Sequence, residues 1–516
     1  MKKHIYISVI LLTVSVMSAF AINNTISGGD YHGVVICAKG EVYAWGSNSG
    51  NKLALAPPNN AISQALTPRK VNLPAGLTFS QVTSKAGGHI LALSCRKTVY
   101  AWGANMLSQC GLPTATNPVN VPNLISKGQT PGHDINGNPG GDYLGGVKYV
   151  TCTCAGSLAI LEDKGQVVGW GGNYNQGGVS GQWLPGTTAT PVYINRHVSA
   201  GGGRLENVIH VAAGNNNVIF LVDDEGTGSG LGTVYTIGNW DGHGDENLIT
   251  AKPVLRTDNR QPLTNVRMVG GMTIGGFALD AEGYVWGWGQ GWGCATGTGK
   301  PDGDAYADKV LSSVYGAISN EEFLTDVKDI VGGQTHGLAI TKEGYVLSWG
   351  SATFPPNSAL GCGASRFLNY CDGNRRVDDA VYVSSGDQFS FMINDKNEYY
   401  SIGQNANGQL GINSTTNQLC FAKINIPCTP IDPCPEVFIP TTVHKCPDKP
   451  VDLNIGFAVP TGIEYRYYFK WSRDGVDLNS ATLEETRNYC WERENPRYET
   501  CGCGECDEED LNYETC

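Results

Sequence analysis

Charged side chains are scarce in this sequence of 516 residues, since Asp, Glu, Lys and Arg together account for 16% of it. Positive charge is the scarcer kind, with 35 Lys and Arg against 48 Asp and Glu and a formal net charge of −13. No segment is rich in basic residues, whereas proteins that neutralise nucleic-acid phosphates carry such a segment. We therefore expect no nucleic acid among the partners of this protein.

Long hydrophobic runs are also missing, apart from one at the N-terminus. A basic start precedes the apolar run of residues 5–17, which is too short to span a membrane, and residues 19–21 (Ala-Phe-Ala) supply a small-x-small cleavage site. This pattern is typical of a secretory signal peptide over residues 1–21; a short N-terminal anchor is the alternative. The first cysteine, Cys37, lies too far along for lipid attachment. We predict a bacterial protein that is secreted or held at the cell surface.

Catalytic and cofactor motifs are missing as well. The sequence has no Gly-x-Ser-x-Gly elbow, and because it contains 68 glycines, no single Gly-rich run indicates a phosphate loop. Two loops, residues 133–142 and 240–247, space their Asp, Asn and Glu oxygens as calcium ligands are spaced. Pro139 stands where a calcium loop needs glycine, so we interpret both as solvated loops. We predict no enzyme activity, no cofactor and no metal site.

What the sequence does contain is one unit repeated seven times. The unit has a small-residue strand with Gly-Gly, a short turn and a strand that ends in Trp-Gly, as in residues 28–46 and 331–350. Two copies have lost the Trp. The second strand of each copy ends on a glycine, and these glycines are Gly46, Gly103, Gly171, Gly238, Gly289, Gly350 and Gly403. Their unequal spacing indicates loops of variable length on a constant frame.

Each copy has the composition of a small antiparallel sheet. Segments such as residues 42–45 mix β-branched and aromatic side chains, as strands do, and glycine-containing turns join them. Further strand candidates follow each loop, for example residues 68–73 and 191–194. Four strands make one propeller blade, and seven blades in a closed ring bury both faces of every sheet. We predict an all-β fold, a seven-bladed β-propeller over residues 22–427. Small residues would crowd near its axis, and the Trp side chains would fill space between the blades.

The repeat resembles the regulator of chromosome condensation repeat, a family of seven-bladed propellers. Residues 333–336 (Gly-Gln-Thr-His) match the start of the family pattern, and residues 408–411 (Gly-Gln-Leu-Gly) match its closing loop. The resemblance covers about four-fifths of the chain. The founder is a nuclear nucleotide-exchange factor, a role that a signal peptide argues against. A secreted bacterial relative, a β-lactamase inhibitor protein, binds its target with one propeller face. The fold alone therefore does not choose the function.

Histidines and cysteines within the repeats are interpreted as structural. His32, His89 and His336 occupy one repeat position, which favours a hydrogen bond inside the blade over catalysis. Cys37 and Cys95 fall in strands and are expected to be buried thiols. Cys362 and Cys371 bracket eight residues of one loop, and we predict a local disulfide between them, as suits an exported chain.

Aromatic residues in the loops after each Trp-Gly pair are the candidate binding residues. Such side chains anchor protein interfaces or stack on sugars, although they also pack loops onto a propeller. The candidates are Trp183, Trp240, Trp292, Phe354, Phe367 and Tyr370.

The C-terminal region differs in composition from the repeats, because nine of the 17 cysteines lie from Cys420 onward. Residues 428–445 are predicted to form a Pro- and Cys-rich linker. Residues 446–489 are similar to part of an immunoglobulin-like domain, with a Tyr-x-Trp-like strand before an Asp-Gly turn. Residues 490–516 form a Cys-rich acidic tail, which disulfides explain better than a thiolate metal site in an oxidising compartment.

These features predict a secreted or cell-surface binding or adhesion protein whose variable loops contact a protein or a glycan. One alternative is a polysaccharide-active enzyme with its site at the propeller channel, which would require two acids to converge on the channel mouth. The other is a structural component of an envelope assembly, attached to the outer cell surface through the C-terminal region.

Overall fold

The computed structural model describes residues 25–37, 40–55, 62–74, 76–172, 187–238, 248–291, 294–312, 323–350 and 366–427, and four short strands beyond residue 436. The chain divides into two compact units, one of residues 19–433 and the other of residues 1–18 and 434–516. No helix in the described part of the chain is long and apolar enough to cross a membrane.

The larger unit contains seven four-stranded antiparallel sheets, and in every sheet the strands follow one another in chain order. Blade 1 consists of β1 (Ile26–Gly28), β2 (His32–Ile36), β3 (Val42–Ser47) and β4 (Gln64–Lys70), and blade 2 consists of β5 (Phe79–Ser84), β6 (His89–Ser94), β7 (Val99–Gly103) and β8 (Val119–Leu124). After a two-stranded hairpin of β9 (Gly132–His133) and β10 (Tyr143–Leu144), blade 3 consists of β11 (Val147–Cys152), β12 (Gly156–Leu161), β13 (Val167–Gly172) and β14 (Thr187–Tyr193). Blade 4 consists of β15 (Val208–Ala213), β16 (Asn217–Val222), β17 (Thr233–Gly238) and β18 (Leu248–Pro253).

The remaining blades repeat this order, so the predicted seven-bladed propeller is confirmed. Blade 5 consists of β19 (Val266–Gly271), β20 (Gly275–Asp280), β21 (Val285–Gln290) and β22 (Gly303–Lys309), and blade 6 consists of β23 (Val327–Gly332), β24 (His336–Thr341), β25 (Val346–Gly350) and β26 (Arg366–Phe367). Blade 7 consists of β27 (Ala380–Ser385), β28 (Phe389–Asn394), β29 (Tyr399–Gly403) and β30 (Gln418–Ile424). Two single-turn 3₁₀ helices, Ser49–Asn51 and Val198–Ala200, lie in connections.

The ring closes by contact between blade 7 and blade 1. The first strand of each blade lies innermost and packs on the first strands of its neighbours, and β1 contacts both β27 and β28. The backbone N–H of Asp387 donates to the carbonyl of Gly29 across this closure, at 3.1 Å. Because blades 1 and 7 are each built from one continuous segment, packing closes the ring without a shared blade.

The repeat glycine, which is the last or the next-to-last residue of the third strand in every blade, has a conformational role. All seven glycines of the repeat have a positive φ, between 92° for Gly46 and 126° for Gly238. A Cβ atom at Gly350 would lie 2.4 Å from the carbonyl oxygen of Thr335. Only glycine combines this backbone conformation with such a close approach, which explains the recurrence that reveals the repeat.

The repeated Trp residues fill the seams between blades, as predicted. Trp45, Trp102 and Trp170 are completely buried. Each indole N–H also donates to a backbone carbonyl in the preceding blade of the ring. The bonds run from Trp45 to Gln409 at 2.8 Å, from Trp102 to Lys52 at 3.1 Å and from Trp170 to Gln109 at 3.1 Å. Apolar volume and a satisfied indole thus act together at these seams.

The repeated histidines also act between blades, which corrects the prediction of a bond inside one blade. Each imidazole Nε2 pairs with a serine hydroxyl in the next blade. The pairs are His32 with Ser84 at 2.8 Å, His89 with Ser157 at 3.0 Å and His336 with Ser390 at 2.9 Å. Their role is structural, as expected, but each serine lies more than 50 residues from its histidine.

The cysteine predictions need two corrections. Cys371 forms a disulfide with Cys420 of β30, so the predicted bond to Cys362 is wrong; Cys362 itself lies outside the described residues. This bond ties the link between blades 6 and 7 to the outer strand of blade 7. Cys37 and Cys95 are disulfide-bonded as well and are therefore not free thiols.

The smaller unit is described only as two short hairpins. Val437–Phe438 (β31) pairs with Gly456–Phe457 (β32), and Phe469–Arg473 (β33) pairs with Val476–Ala481 (β34). The second pair places a strand at Trp471, as expected from the sequence there. The immunoglobulin-like character of this region, the linker and the tail remain predictions.

Candidate functional site

The antiparallel order of strands sorts the connections between the two ends of the propeller. The turns from first to second strand and the loops from third to fourth strand lie at one end, which we call the turn face. The turns from second to third strand and the links between blades lie at the opposite end, the hairpin face. The central channel runs between them. All the loops expected to carry binding aromatics therefore begin and end at the turn face.

Four of the six predicted binding residues, Trp183, Trp240, Trp292 and Phe354, lie outside the described residues. The other two do not form a binding surface. Tyr370 is buried in the core, where it packs on Tyr400 with ring centroids 4.8 Å apart.

Phe367 is half-buried in β26 and packs against Tyr345 and the guanidinium of Arg376. Neither residue belongs to the loop after Trp349-Gly350, because β26 begins at Arg366 and the chain then runs toward the hairpin face. Burial contradicts a surface role for Tyr370, whereas a binding role for Phe367 stays a prediction.

Two exposed apolar residues that the sequence reasoning missed do lie at the turn face. Tyr31, in the first turn of blade 1, is 45% exposed, and Met106, in the long loop of blade 2, is 69% exposed. The signal available for both was their position: Tyr31 directly precedes the repeated His32, and Met106 follows Trp102-Gly103 closely. Aromatic and methionine side chains in such positions are typical of protein-binding surfaces.

The channel mouth at the turn face gathers opposite charges. Asp30 and Asp387 come from the first turns of blades 1 and 7, Lys85 from that of blade 2, and Lys52 from the long loop of blade 1. Burial and the nearby Asp387 raise the pKa of Asp30 to about 7, although Lys52 opposes the shift. Burial also raises the pKa of Asp387, against the effects of Asn215 and Lys85, and lowers the pKa of both lysines. The four charges therefore share a partly desolvated site.

Two side chains cross the opening between blades that are not neighbours. The Lys85 ammonium of blade 2 donates to the carbonyl of Gly332 in blade 6 at 3.4 Å. The Asn215 amide of blade 4 donates to the carboxylate of Asp387 in blade 7 at 3.3 Å. These contacts span the mouth and narrow it.

The turns around the mouth are joined by backbone hydrogen bonds. Each bond runs from one blade to the next, which fixes the positions of the polar side chains that the turns carry. Besides Asp387 to Gly29, the bonds are Cys154 N to Asn215 O at 3.3 Å, Asn216 N to Thr273 O at 3.1 Å and Gln334 N to Asp387 O at 2.7 Å.

The channel beneath the mouth has a volume of about 90 Å³ and is lined in two levels. The upper level follows the predicted rule that small residues crowd near the axis. It consists of Ser27, Thr83, Thr151, Ala212, Gly270, Val331 and Ser384, and Lys85 also lines the cavity at its turn-face end. The lower level, which we call the lower ring, has larger and more polar side chains: Tyr149, His210, Met268, Asp329 and Tyr382.

A repeated β-bulge creates the lower ring. The first strands of blades 2 to 7 each carry a bulge near their start, between Val208 and His210 in blade 4 and between Val327 and Asp329 in blade 6, for example. An extra residue in a strand changes which side chains face each side. In blades 3 to 7 the residue that follows the bulge is the one that lines the channel.

The loop of residues 133–142 uses its oxygens internally. One carboxylate oxygen of Asp134 accepts bonds from the backbone N–H groups of Asn136 and Asn138 at 2.8 and 2.9 Å. The other accepts from the Asn138 side chain at 3.0 Å. Asp134 therefore caps its own turn. The second oxygen-rich loop, residues 240–247, lies almost wholly outside the described residues. Among the described residues, no cluster of three or more His, Cys, Asp or Glu is placed to hold a metal ion.

The fold and the repeated contacts between blades define a seven-bladed β-propeller with one loop-bearing face. Residues 25–51 and 39–93 match two models described as the regulator of chromosome condensation (RCC1) repeat. The chain is thus a seven-bladed propeller in which residues 25–93 match the RCC1 repeat, in agreement with the resemblance seen in the sequence.

Several curated proteins share this repeat. Protein pim1 of Schizosaccharomyces pombe is 27% identical over 318 residues, which are 60% of this chain and 54% of pim1. The ultraviolet-B receptor UVR8 of Arabidopsis thaliana is 26% identical over 358 residues, 67% of this chain and 68% of UVR8. The probable E3 ubiquitin-protein ligase HERC6 of Homo sapiens is 28% identical over 218 residues, 42% of this chain and 18% of HERC6. The match thus spans about half of pim1 and a small part of HERC6.

Solved structures of the yeast protein Prp20 share the fold. Prp20p from Saccharomyces cerevisiae, described together with its binding to Gsp1p and histones, has a TM-score of 0.55 and 16% identity, with 80% of this chain and 90% of that chain covered. Yeast RCC1 (Prp20) with Kap60 bound has a TM-score of 0.57 and 17% identity, with 83% and 92% covered. At these identities the likeness shows the fold alone.

Proposed function

We propose that this protein is an exported binding protein that holds a protein partner on the turn face of its propeller. The observation that carries the proposal is that the repeated residues hold the blades together, whereas the loop residues are free to form a surface. The repeated His and Trp side chains bond between blades, whereas the long loops, the exposed Tyr31 and Met106 and the charged mouth are gathered at one end.

Protein binding is favoured over glycan binding by the chemistry of this face. Exposed Met and Tyr beside a mouth of mixed charge suit the apolar centre and polar rim of a protein interface. The related propeller Prp20p binds Gsp1p and histones, and a complex with Kap60 has been solved. Those proteins are not themselves proposed as partners here. The signal peptide predicted for residues 1–21 supports an encounter at the cell surface or in the medium.

The proposal is tested with the mature chain and variants on opposite faces. A partner is first isolated from the producing culture with the wild-type protein, and its affinity is then measured. We expect Tyr31→Ala combined with Met106→Ala to weaken binding by about tenfold or more, since buried interface anchors contribute 1–2 kcal/mol or above. Val198→Ala is the matched control, because Val198 is 83% exposed on the hairpin face. Equal loss of affinity in both variants, or loss only in Val198→Ala, contradicts the proposal.

A second candidate function is favoured by the acids at the mouth. Asp30 has a pKa of about 7 and lies near Asp387, and two acids converging there is the arrangement that the polysaccharide-active alternative requires. Its test is hydrolysis of surface polysaccharides by the wild type and by Asp30→Asn. Activity that Asp30→Asn abolishes supports the enzyme, and hydrolysis by neither protein contradicts it.

A further inference from the structure

The lower ring of the channel carries large polar side chains that the packing of the blades does not require. The upper level is filled by small side chains, as close packing of first strands demands. Two residues earlier in the same strands, blades 3 to 7 place Tyr149, His210, Met268, Asp329 and Tyr382 around the same cavity. A ring that joins two phenols, an imidazole, a thioether and a carboxylate has the composition of a binding site.

His210 supplies a buried polar atom without a partner. Its side chain lines the cavity, the residue is only 8% exposed, and its Nδ1 atom makes no hydrogen bond. Its Nε2 atom lies 3.4 Å from the hydroxyl of Tyr149, and the two rings meet edge to face at 5.3 Å. Buried polar atoms in proteins are normally bonded, and this unbonded atom belongs to a side chain that lines the cavity, so it points to a ligand.

Asp329 supplies the only carboxylate among the cavity-lining residues. The backbone N–H groups of Ile330 and Val383 and the charges of Arg267 and Lys328 favour its ionised form, yet burial dominates and raises its pKa to about 7. Arg267 directs a guanidinium N–H to the carbonyl of Val327, at 2.7 Å. A cation in the cavity would relieve the desolvation of this carboxylate.

Aromatic and sulfur atoms complete a cage suited to an organic cation. The faces of Tyr149 and Tyr382 attract a positive charge through their quadrupoles, and Met268 adds a polarisable thioether. We propose that the lower ring binds the ammonium group of an organic amine, with Asp329 as counter-ion, His210 as hydrogen-bond partner, and Tyr149 and Tyr382 as aromatic walls. A volume of about 90 Å³ admits an ammonium head group.

The ammonium group could belong to a free small amine or to a lysine side chain that a protein partner inserts into the cavity. Either enters from the hairpin face, because Lys85 and Asn215 reach across the other mouth. The lower ring also lies nearer the hairpin face, since its residues precede the upper level in the first strands.

The test uses the mature full-length chain with methylammonium chloride as the probe, followed by ligand-observed NMR, with sodium chloride at equal ionic strength as background. We expect saturable binding to the wild type and at least about tenfold weaker binding to Asp329→Asn, which removes the charge and keeps the shape. Asp326→Asn is the matched control, because Asp326 is exposed and paired with Lys342 in the link between blades 5 and 6; it should bind as the wild type does. A peptide, acetyl-Gly-Lys-Gly-amide, distinguishes the sources: competition with methylammonium indicates a lysine, and its absence indicates a free amine.

A second variant keeps the test valid if Asp329→Asn misfolds. Tyr382→Leu removes one aromatic wall and should weaken methylammonium about threefold or more, with circular dichroism showing that the fold is retained. Non-saturable binding to the wild type, tighter binding of acetate than of methylammonium, or an Asp329→Asn protein that is folded and binds normally overturns the proposal.

Discussion

The contacts between neighbouring blades are made by two kinds of side chains: titratable His with Trp at some seams, and Asn or Ile at the same positions of others. Between blades 1 and 2 and between blades 2 and 3, a buried histidine bonds to a serine of the next blade, and a Trp fills the space beside it. Between blades 4 and 5, Asn217 stands at the histidine position and donates to the carbonyl of Gly275 at 2.6 Å, beside a buried Trp288. Between blades 3 and 4, Ile237 stands at the Trp position and packs in one cluster with Leu158 and Ile160 of blade 3. A glycine of positive φ is present in the third strand of all seven blades. The backbone requirement is therefore stricter than the side-chain requirement.

The largest expected loss of stability comes from truncating the apolar side chain at the Trp position of a seam, and it should differ between Trp and Ile. Trp45→Ala should lower the free energy of unfolding by about 3–5 kcal/mol and Ile237→Ala by about 2–4 kcal/mol, because the larger side chain leaves the larger cavity. Trp45→Ala also orphans the carbonyl of Gln409. Urea denaturation of the mature chain measures both, and a larger loss for Ile237→Ala contradicts the account of the seams.

The next largest loss of stability, on replacing the repeat glycine by alanine, should be the same at both kinds of seam. Gly46→Ala and Gly238→Ala each force a side chain into a left-handed conformation and against a carbonyl, that of Tyr31 at 2.3 Å or of Asn216 at 2.4 Å. We expect each to cost about 2–3 kcal/mol in the same denaturation experiment. Gly76→Ala is the control for positive φ alone, since no atom lies within 4 Å of its Cβ position. Equal losses for all three would show that contact with the carbonyl is unimportant.

A pH scan sharpens the comparison, because only the histidine seams titrate. Burial lowers the pKa of His89 to about 4, from the usual histidine value of about 6.5. The folded state thus binds this proton more weakly than the unfolded state does. The stabilisation is present above about pH 6.5 and is lost as the pH falls toward 4, by up to about 3 kcal/mol. His89→Gln should lose less stability between pH 7 and 4.5 than the wild type. Parallel pH profiles for the two proteins would contradict the assignment.

The smallest effect is expected for the amide seam. Asn217→Ala removes the bond to the Gly275 carbonyl and should cost about 1–2 kcal/mol. The loss should be the same at pH 7 and pH 4.5, since an amide does not titrate. A loss that changes with pH would place a titrating group at this seam as well.

The number of blades was readable from the sequence because a backbone constraint imposes the same residue each time. Gly46 and its six counterparts cannot vary, so their spacing counts the blades. The histidines were recognised as structural for the same reason. Their partners were not predictable: Ser84 and Ser157 lie in other blades, and nothing local marks them.

The candidate site was predicted less well, for two physical reasons. The end of the blade 6 loop was misjudged, so Tyr370 was assigned to the surface although it is buried, and Cys371 was paired within the loop rather than with Cys420. The lower ring was invisible because a bulge shifts the alternation of each first strand. Its position decides whether a residue such as Asp329 faces the channel or the core.

The central claim, that a partner binds at the turn face, is tested most directly by hydrogen–deuterium exchange of the mature chain with and without its isolated partner. We expect protection in the first turns of the blades, residues 29–31 and 386–388 among them, and in the loop of residues 104–118. The hairpin face, including residues 195–204, should exchange at unchanged rates. Protection confined to the hairpin face would contradict the claim.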